Sequence, residues 1–208
     1  MIDPRHGAGF PRLATPIWRG AQRIVEPLMP YLWPYTRKGT ELPRGPAVVT
    51  PNHLSFVDPV FVAIAIGRPL RYLTSEIVLG QHPRFDDLIN WMGIIPLDLG
   101  RIPLRPLRTA LAHLESGGTV GVFPEGRRAL EWREAPAKQG AAWLAIRTGT
   151  PLVPVSIAGS FEAMGDDKKL RRRPITVTVG EPLLPHRFAD RSEMTEAWIE
   201  WMDEHHKG

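Results

Sequence analysis

From residue 46 onward, short apolar runs alternate with stretches of helical periodicity. Ala47-Val48-Val49-Thr50 predicts a strand, and Pro59 to Ile66 a helix after it. Leu70 to Thr74 predicts a strand, followed by a helix near Phe85 to Met92. Ile94-Ile95-Pro96-Leu97 is strand-like, and its proline places it at a sheet edge or a strand end. Leu104 to Leu114 has the spacing of an amphipathic helix stopped by Gly117-Gly118. Thr119 to Phe123 predicts a buried strand, and Ala137 to Arg147 a helix ended by Gly149. Leu152 to Ile157 and Ile175 to Val179 predict further strands. Met194, Ala197, Trp198, Trp201 and Met202 share one face of a C-terminal helix. Strand–helix alternation of this kind predicts an α/β fold, with a mostly parallel central sheet flanked by helices. In such sheets, sites form at the carboxyl ends of strands.

The first 46 residues have a different pattern. Ile17, Ala21, Ile24 and Leu28 recur at helical spacing, with Arg19, Arg23 and Glu26 between them. This predicts a short amphipathic helix from about Pro16 to Glu26, after which Pro27, Pro30 and Pro34 stop or kink the chain. Trp18, Tyr31, Trp33 and Tyr35 are interleaved with basic residues, a mixture suited to a bilayer interface. On periodicity alone, packing of the stripe on the domain is favoured, the commoner fate of such helices. The division expected is residues 1–40 as an N-terminal amphipathic helical segment and 41–208 as the α/β domain.

Composition narrows the chemistry. The 208 residues contain no cysteine, which excludes disulfide scaffolds, thiol nucleophiles and cysteine-held metal sites. The net charge of +4 is modest, but Lys168-Lys169-Leu170-Arg171-Arg172-Arg173 gathers five cations in six residues. That run suits an anionic partner or a solvated loop. The longest apolar run, Val60 to Ile66, is far short of the roughly 20 residues of a membrane span. No secretory signal is expected in residues 1–16, which Pro4, Pro11 and Pro16 interrupt. No nucleic-acid motif is present, so no nucleic-acid partner is expected.

Two loops carry candidate chemistry. After the first strand comes Asn52-His53-Leu54-Ser55-Phe56-Val57-Asp58-Pro59. His53 and Asp58 can meet only if His53 precedes the helix and Asp58 lies in its first turn. Asp58-Pro59 fits an N-cap followed by proline, and Ser55 to Asp58 fits a capping box. A carboxylate on one imidazole nitrogen fixes the tautomer and frees the other nitrogen as a base. Such a pair could deprotonate a substrate hydroxyl during attack on an activated carbonyl. After a later strand comes Phe123-Pro124-Glu125-Gly126-Arg127-Arg128, where glycine allows close backbone approach and arginines can grip phosphate.

Together these blocks resemble the 1-acyl-sn-glycerol-3-phosphate acyltransferases, the PlsC-like family of glycerolipid acyltransferases. Gly93 to Leu97 with Asp98 and Arg101, Pro151 to Ile157, and Lys138 to Ala142 resemble three further blocks of that family, and the likeness covers about residues 40 to 182. It implies a glycerol-3-phosphate acyltransferase-like fold with a catalytic domain over 41–208. It implies that His53 is the general base and Asp58 its partner. The acceptor would be a lysophospholipid, most simply 1-acyl-sn-glycerol-3-phosphate, and acyl-CoA or acyl-carrier protein the donor. Arg101, Glu125, Gly126, Arg127, Arg128 and Lys138 would bind the acceptor. No cofactor and no metal are implied. Arg127 stands where the family commonly has threonine, which leaves open another lysolipid or a lyso-aminolipid as acceptor. A non-catalytic lipid-binding module is the remaining alternative. A bilayer-resident acceptor implies peripheral contact on the cytoplasmic side of the cell membrane, with residues 1–40 as the docking segment.

Overall fold

The computed structural model describes residues 20, 22–24, 27–29, 31, 33–75, 94–97 and 104–206. The strands are β1 (Tyr35–Gly39), β2 (Ala47–Pro51), β3 (Arg71–Ser75), β4 (Ile95–Leu97), β5 (Thr119–Val122), β6 (Leu152–Ala158) and β7 (Ile175–Val179). The helices are α1 (Asp58–Ile66), α2 (Leu104–Glu115), α3 (Gly140–Thr148), the single turn α4 (Ser160–Ala163) and α5 (Arg191–His205). The described strands form one sheet in the order β1-β7-β6-β2-β5-β3-β4. All neighbours are parallel except β6 and β7. The expected α/β fold, a mostly parallel sheet flanked by helices, is the observed one.

The period-two alternation of strand side chains divides the core into two layers. On one face Val49, Val155, Ile157 and Val177 meet α1 through Phe61, Val62 and Ala65. On the other, Val48, Val120 and Leu152 meet Ala110 and Leu114 of α2, Leu144 of α3, and Met194, Trp198 and Met202 of α5. β2 lies at the centre and is buried throughout, so the loop leaving its carboxyl end is held on a rigid strand. Helix α1 is apolar nearly all round because it is buried nearly all round. It ends at Gly67, whose positive φ of 71° lets its N–H return to Ala63 O.

Two expectations change. Tyr35–Gly39 is not a continuation of the aromatic–basic segment. It pairs in parallel with β7, Tyr35 opposite Ile175, and Trp33 and Tyr35 pack on Phe61. Its charged Arg37 and Lys38 suit a sheet edge. Helix α3 starts at Gly140, not Ala137, because Lys138 N bonds Pro124 O and so belongs to the loop after β5. Ile95–Leu97 is an edge strand, as Pro96 suggests. The helix expected near Phe85 to Met92, and Trp18, lie outside the described residues. Among the described residues of the N-terminal segment, 22–24 and 27–29 are helical. Ile24, Leu28 and Tyr31 are exposed there, while Met29 is buried. No helix among the described residues is long and apolar enough to cross a membrane.

Candidate active site

Both candidate loops leave the carboxyl ends of adjacent strands, β2 and β5. The chain turns after Pro51, and Asn52 fixes that turn. Its buried amide donates to Ile157 O at 3.0 Å and accepts from Ile157 N at 2.7 Å, so it clips the loop to β6. The next residues wrap around one carboxylate. Oδ2 of Asp58 accepts from Leu54 N at 2.7 Å and Ser55 N at 2.6 Å, and lies 3.0 Å from His53 Nδ1. Asp58 is fully buried, so its position is fixed before any substrate arrives. Val57 takes the N-cap position and Asp58 the first helical one. The capping-box reading holds by half: Asp58 bonds Ser55 N, but the Ser55 hydroxyl donates to Met164 O at 2.6 Å.

A carboxylate that accepts at Nδ1 requires the Nδ1–H tautomer, leaving Nε2 with its lone pair. The His53 ring stacks on Phe123 at 4.1 Å between centroids, and Phe123 stacks on Tyr72 at 5.7 Å. Gly121 makes room for this column, because a Cβ there would meet the Tyr72 ring at 2.5 Å. The His53 side chain remains 20% exposed.

The second loop grips the first from below. Glu125 Oε2 accepts the His53 N–H at 2.7 Å, and Ala129 N donates to His53 O at 2.9 Å. Glu125 is buried, and its other oxygen has no hydrogen-bond partner among the described residues. Burial, reinforced by the nearby Asp58 charge, pushes its carboxyl up to about 8, against the opposing pull of the His53 N–H and Arg127. Three successive backbone N–H groups, those of His53, Leu54 and Ser55, therefore all end on two buried carboxyl groups.

Cations surround this core unequally. Gly126 turns the loop at φ 69°, and the Lys138 side chain lies across it, with Nζ 2.5 Å from where a Cβ would stand. Lys138 has no ion pair among the described residues. Arg128 pairs with Asp166 at 2.5 Å and lies over the Phe56 ring at 4.2 Å, on the His53 loop. Arg127 turns outward to Glu134 at 2.8 Å.

Comparison with known proteins gives this arrangement a lineage. The family model "Acyltransferase" matches residues 35–158, from β1 to the end of β6, and so spans both loops. The chain belongs to the acyltransferase family. The chloroplastic 1-acyl-sn-glycerol-3-phosphate acyltransferase of Brassica napus is 28% identical over 142 residues, 66% of this chain and 41% of that protein. The 1-acyl-sn-glycerol-3-phosphate acyltransferase of Bacillus subtilis is 27% identical over 142 residues, 68% of this chain and 69% of that protein. The match thus spans less than half the length of the chloroplastic relative. The crystal structure of the 1-acyl-sn-glycerophosphate acyltransferase PlsC from Thermotoga maritima superposes with a TM-score of 0.70 at 21% identity, over 91% of this chain and 76% of that one. That likeness is one of fold.

Within this acyltransferase domain, His53, Asp58, Glu125, Gly126, Arg128 and Lys138 come together around the ends of β2 and β5. Arg127 stands at the rim on Glu134. Arg101 lies outside the described residues. Sequence reasoning names Asn52 within its block but gives it no task. Its clamp on Ile157 is 105 positions away in sequence and has no local signal.

Proposed function

We propose that this chain is an O-acyltransferase that moves an acyl group from a thioester donor to the free hydroxyl of 1-acyl-sn-glycerol-3-phosphate. The observation that carries the reading is the buried Asp58 carboxylate held against His53 Nδ1 at 3.0 Å, with no hydrogen-bond partner on Nε2 among the described residues. His53 Nε2 takes the hydroxyl proton as the substrate oxygen attacks the thioester carbonyl of acyl-CoA or acyl-carrier protein. The C–O bond forms, and the tetrahedral intermediate then expels the thiolate as the C–S bond breaks. The imidazolium, stabilised by Asp58, returns the proton to the leaving sulfur. Base and nucleophile are thus a side chain and the acceptor itself, and the acyl group passes directly between substrates.

The acceptor phosphate calls for cations near this base. Lys138, folded over Gly126 and without an ion pair among the described residues, is a cation available without rearrangement. Arg128 reaches the same region by exchanging Asp166 for phosphate, a swap between two charge-assisted partners. Gly126 admits the Lys138 chain close to the backbone. Arg127 would add charge at the rim. Glu125 is better suited to another task than holding an anion. Its carboxyl already carries the His53 backbone and lies near the charge on Asp58, so it acts as a positioning residue.

The sheet from β1 onward, with its helices, would then supply the chemistry, and the segment before β1 would help dock the protein on the bilayer, on the cytoplasmic face, where the acceptor resides. The exposed stripe Ile24, Leu28 and Tyr31, Tyr31 being 80% exposed, supports that role. The test is a panel of lysolipid acceptors with labelled acyl-CoA and acyl-carrier protein. Formation of diacylglycerol phosphate from 1-acyl-sn-glycerol-3-phosphate well above all other acceptors supports the reading. Preference for a lyso-aminolipid or another lysolipid, or no transfer at all, contradicts it.

A further inference from the structure

The loop between α4 and β7 has a composition that neither the core nor the dyad explains. Residues 166–174 are all exposed. Its two carboxylates are engaged, Asp166 with Arg128 and Asp167 with Arg171. Lys168, Lys169, Arg172 and Arg173 have no ion pair among the described residues. Between them Leu170 is 59% exposed. Phe56, three residues after His53, is 47% exposed, with the Arg128 guanidinium 4.2 Å and the Lys168 ammonium 5.3 Å from its ring centroid.

The loop is nevertheless fastened in place. Arg171 N donates to Ala163 O at 2.8 Å, and the Trp33 indole donates to Arg171 O at 3.0 Å. Ser55, in the His53 loop, donates to Met164 O just before the loop begins. Unpaired cations flanking exposed apolar side chains match the layered chemistry of a bilayer surface. The cations meet lipid phosphates while leucine and phenylalanine enter the acyl boundary. A soluble phosphate ligand would instead call for donors converging on a cavity. Here the four cations are strung along an exposed strap with an apolar residue in its middle.

We propose that residues 166–173, together with Phe56, form a docking surface for an anionic bilayer and set its lipid beside His53. This rests on the proposed function for its purpose, since a lysophospholipid acceptor lies in that bilayer. The docking itself is measurable without any transfer reaction. Trp33 joins this surface to the N-terminal segment, whose exposed Ile24, Leu28 and Tyr31 precede it by a few residues.

The test is co-sedimentation of the full chain with sucrose-loaded vesicles of phosphatidylglycerol and phosphatidylcholine, against vesicles of phosphatidylcholine alone, at about 0.1 M salt. The variants are Lys169→Gln/Arg172→Gln/Arg173→Gln combined, and Leu170→Ser, with thermal melts to verify folding. Each cation near an anionic surface is worth about a fivefold change in partitioning, so the triple variant should bind anionic vesicles about 100-fold more weakly. Its weak binding to neutral vesicles should not change. Leu170→Ser should weaken both. Unchanged partitioning of the triple variant overturns the proposal. So does a raised KM for acyl-CoA with a detergent-dispersed acceptor at unchanged vesicle binding, which would assign the cations to the donor's phosphates. If vesicle binding depends on the loop but no acyl transfer occurs, the docking surface stands and the proposed function falls.

Discussion

The Asp58 oxygen that lies 3.0 Å from His53 Nδ1 also accepts the N–H groups of Leu54 and Ser55. One atom therefore shapes the loop and orients the His53 ring. Asp58→Asn keeps an acceptor of the same size but removes the charge that stabilises imidazolium, and it can reverse the tautomer. The expected result is a fall in kcat of about 10²- to 10⁴-fold at little cost in stability. Asp58→Ala also orphans two buried N–H groups and should cost about 2–5 kcal/mol in denaturant unfolding. Equal activity of Asp58→Asn and the natural protein would show that the pairing is structural only.

Glu125 gives the protein a pH signature. In the folded state its carboxyl is pushed from the ordinary 4.5 up to about 8, burial being the first cause. Between those values the folded protein holds a proton that the unfolded chain has released. The Glu125 contribution to stability is therefore full below about 4.5, falls as pH rises through the window, and levels off above about 8. The slope is about 1.4 kcal/mol per pH unit. Glu125→Gln keeps an acceptor for the His53 N–H and cannot ionise. Its stability, compared with that of the natural protein across pH, should lack this slope. Parallel curves for the two would contradict the assignment.

Asn52 tests the scaffold rather than the chemistry. Asn52→Ala leaves both Ile157 N–H and C=O without partners in a buried strand. About 2–5 kcal/mol should be lost in denaturant unfolding, with activity falling in step because the His53 loop hangs from this clamp. A loss under about 1 kcal/mol would mean that water or a shifted β6 satisfies those groups.

Lys138 separates binding from chemistry. Lys138→Met keeps the apolar stem over Gly126 and removes the charge. A charge-assisted contact of about 1.5–3 kcal/mol predicts a KM for the phosphate acceptor raised about 10- to 100-fold, with kcat nearly unchanged. An acceptor without phosphate, such as monoacylglycerol, should show no change. An equal effect on both acceptors would remove Lys138 from the phosphate site.

The elements most readable from sequence are those whose own pattern is strong. The apolar run of β2, the proline at the edge strand β4 and the Trp198–Met202 face of α5 carry their fold position in their composition. Strand β1 does not. Tyr-Thr-Arg-Lys-Gly is half-exposed and charged, and only its pairing with β7, 140 positions later, makes it a strand. The same holds for the site. His53 and Asp58 lie five positions apart, and their meeting follows from a single helix start. The partners of Glu125, Arg128 and Asn52 are distant in sequence: His53 is 72 positions from Glu125, and Asp166 is 38 from Arg128. A carboxylate and an arginine in one short block do not reveal the backbone N–H and the aspartate that they meet in the fold.

The central claim is that His53 removes the proton from the acceptor hydroxyl. The most direct measurement is the steady-state rate of acyl transfer to 1-acyl-sn-glycerol-3-phosphate by His53→Ala at saturating acyl-CoA, with folding checked by thermal melting. The account predicts a fall of about 10²- to 10⁴-fold or more in kcat. A folded His53→Ala protein that makes diacylglycerol phosphate at the natural rate would contradict it.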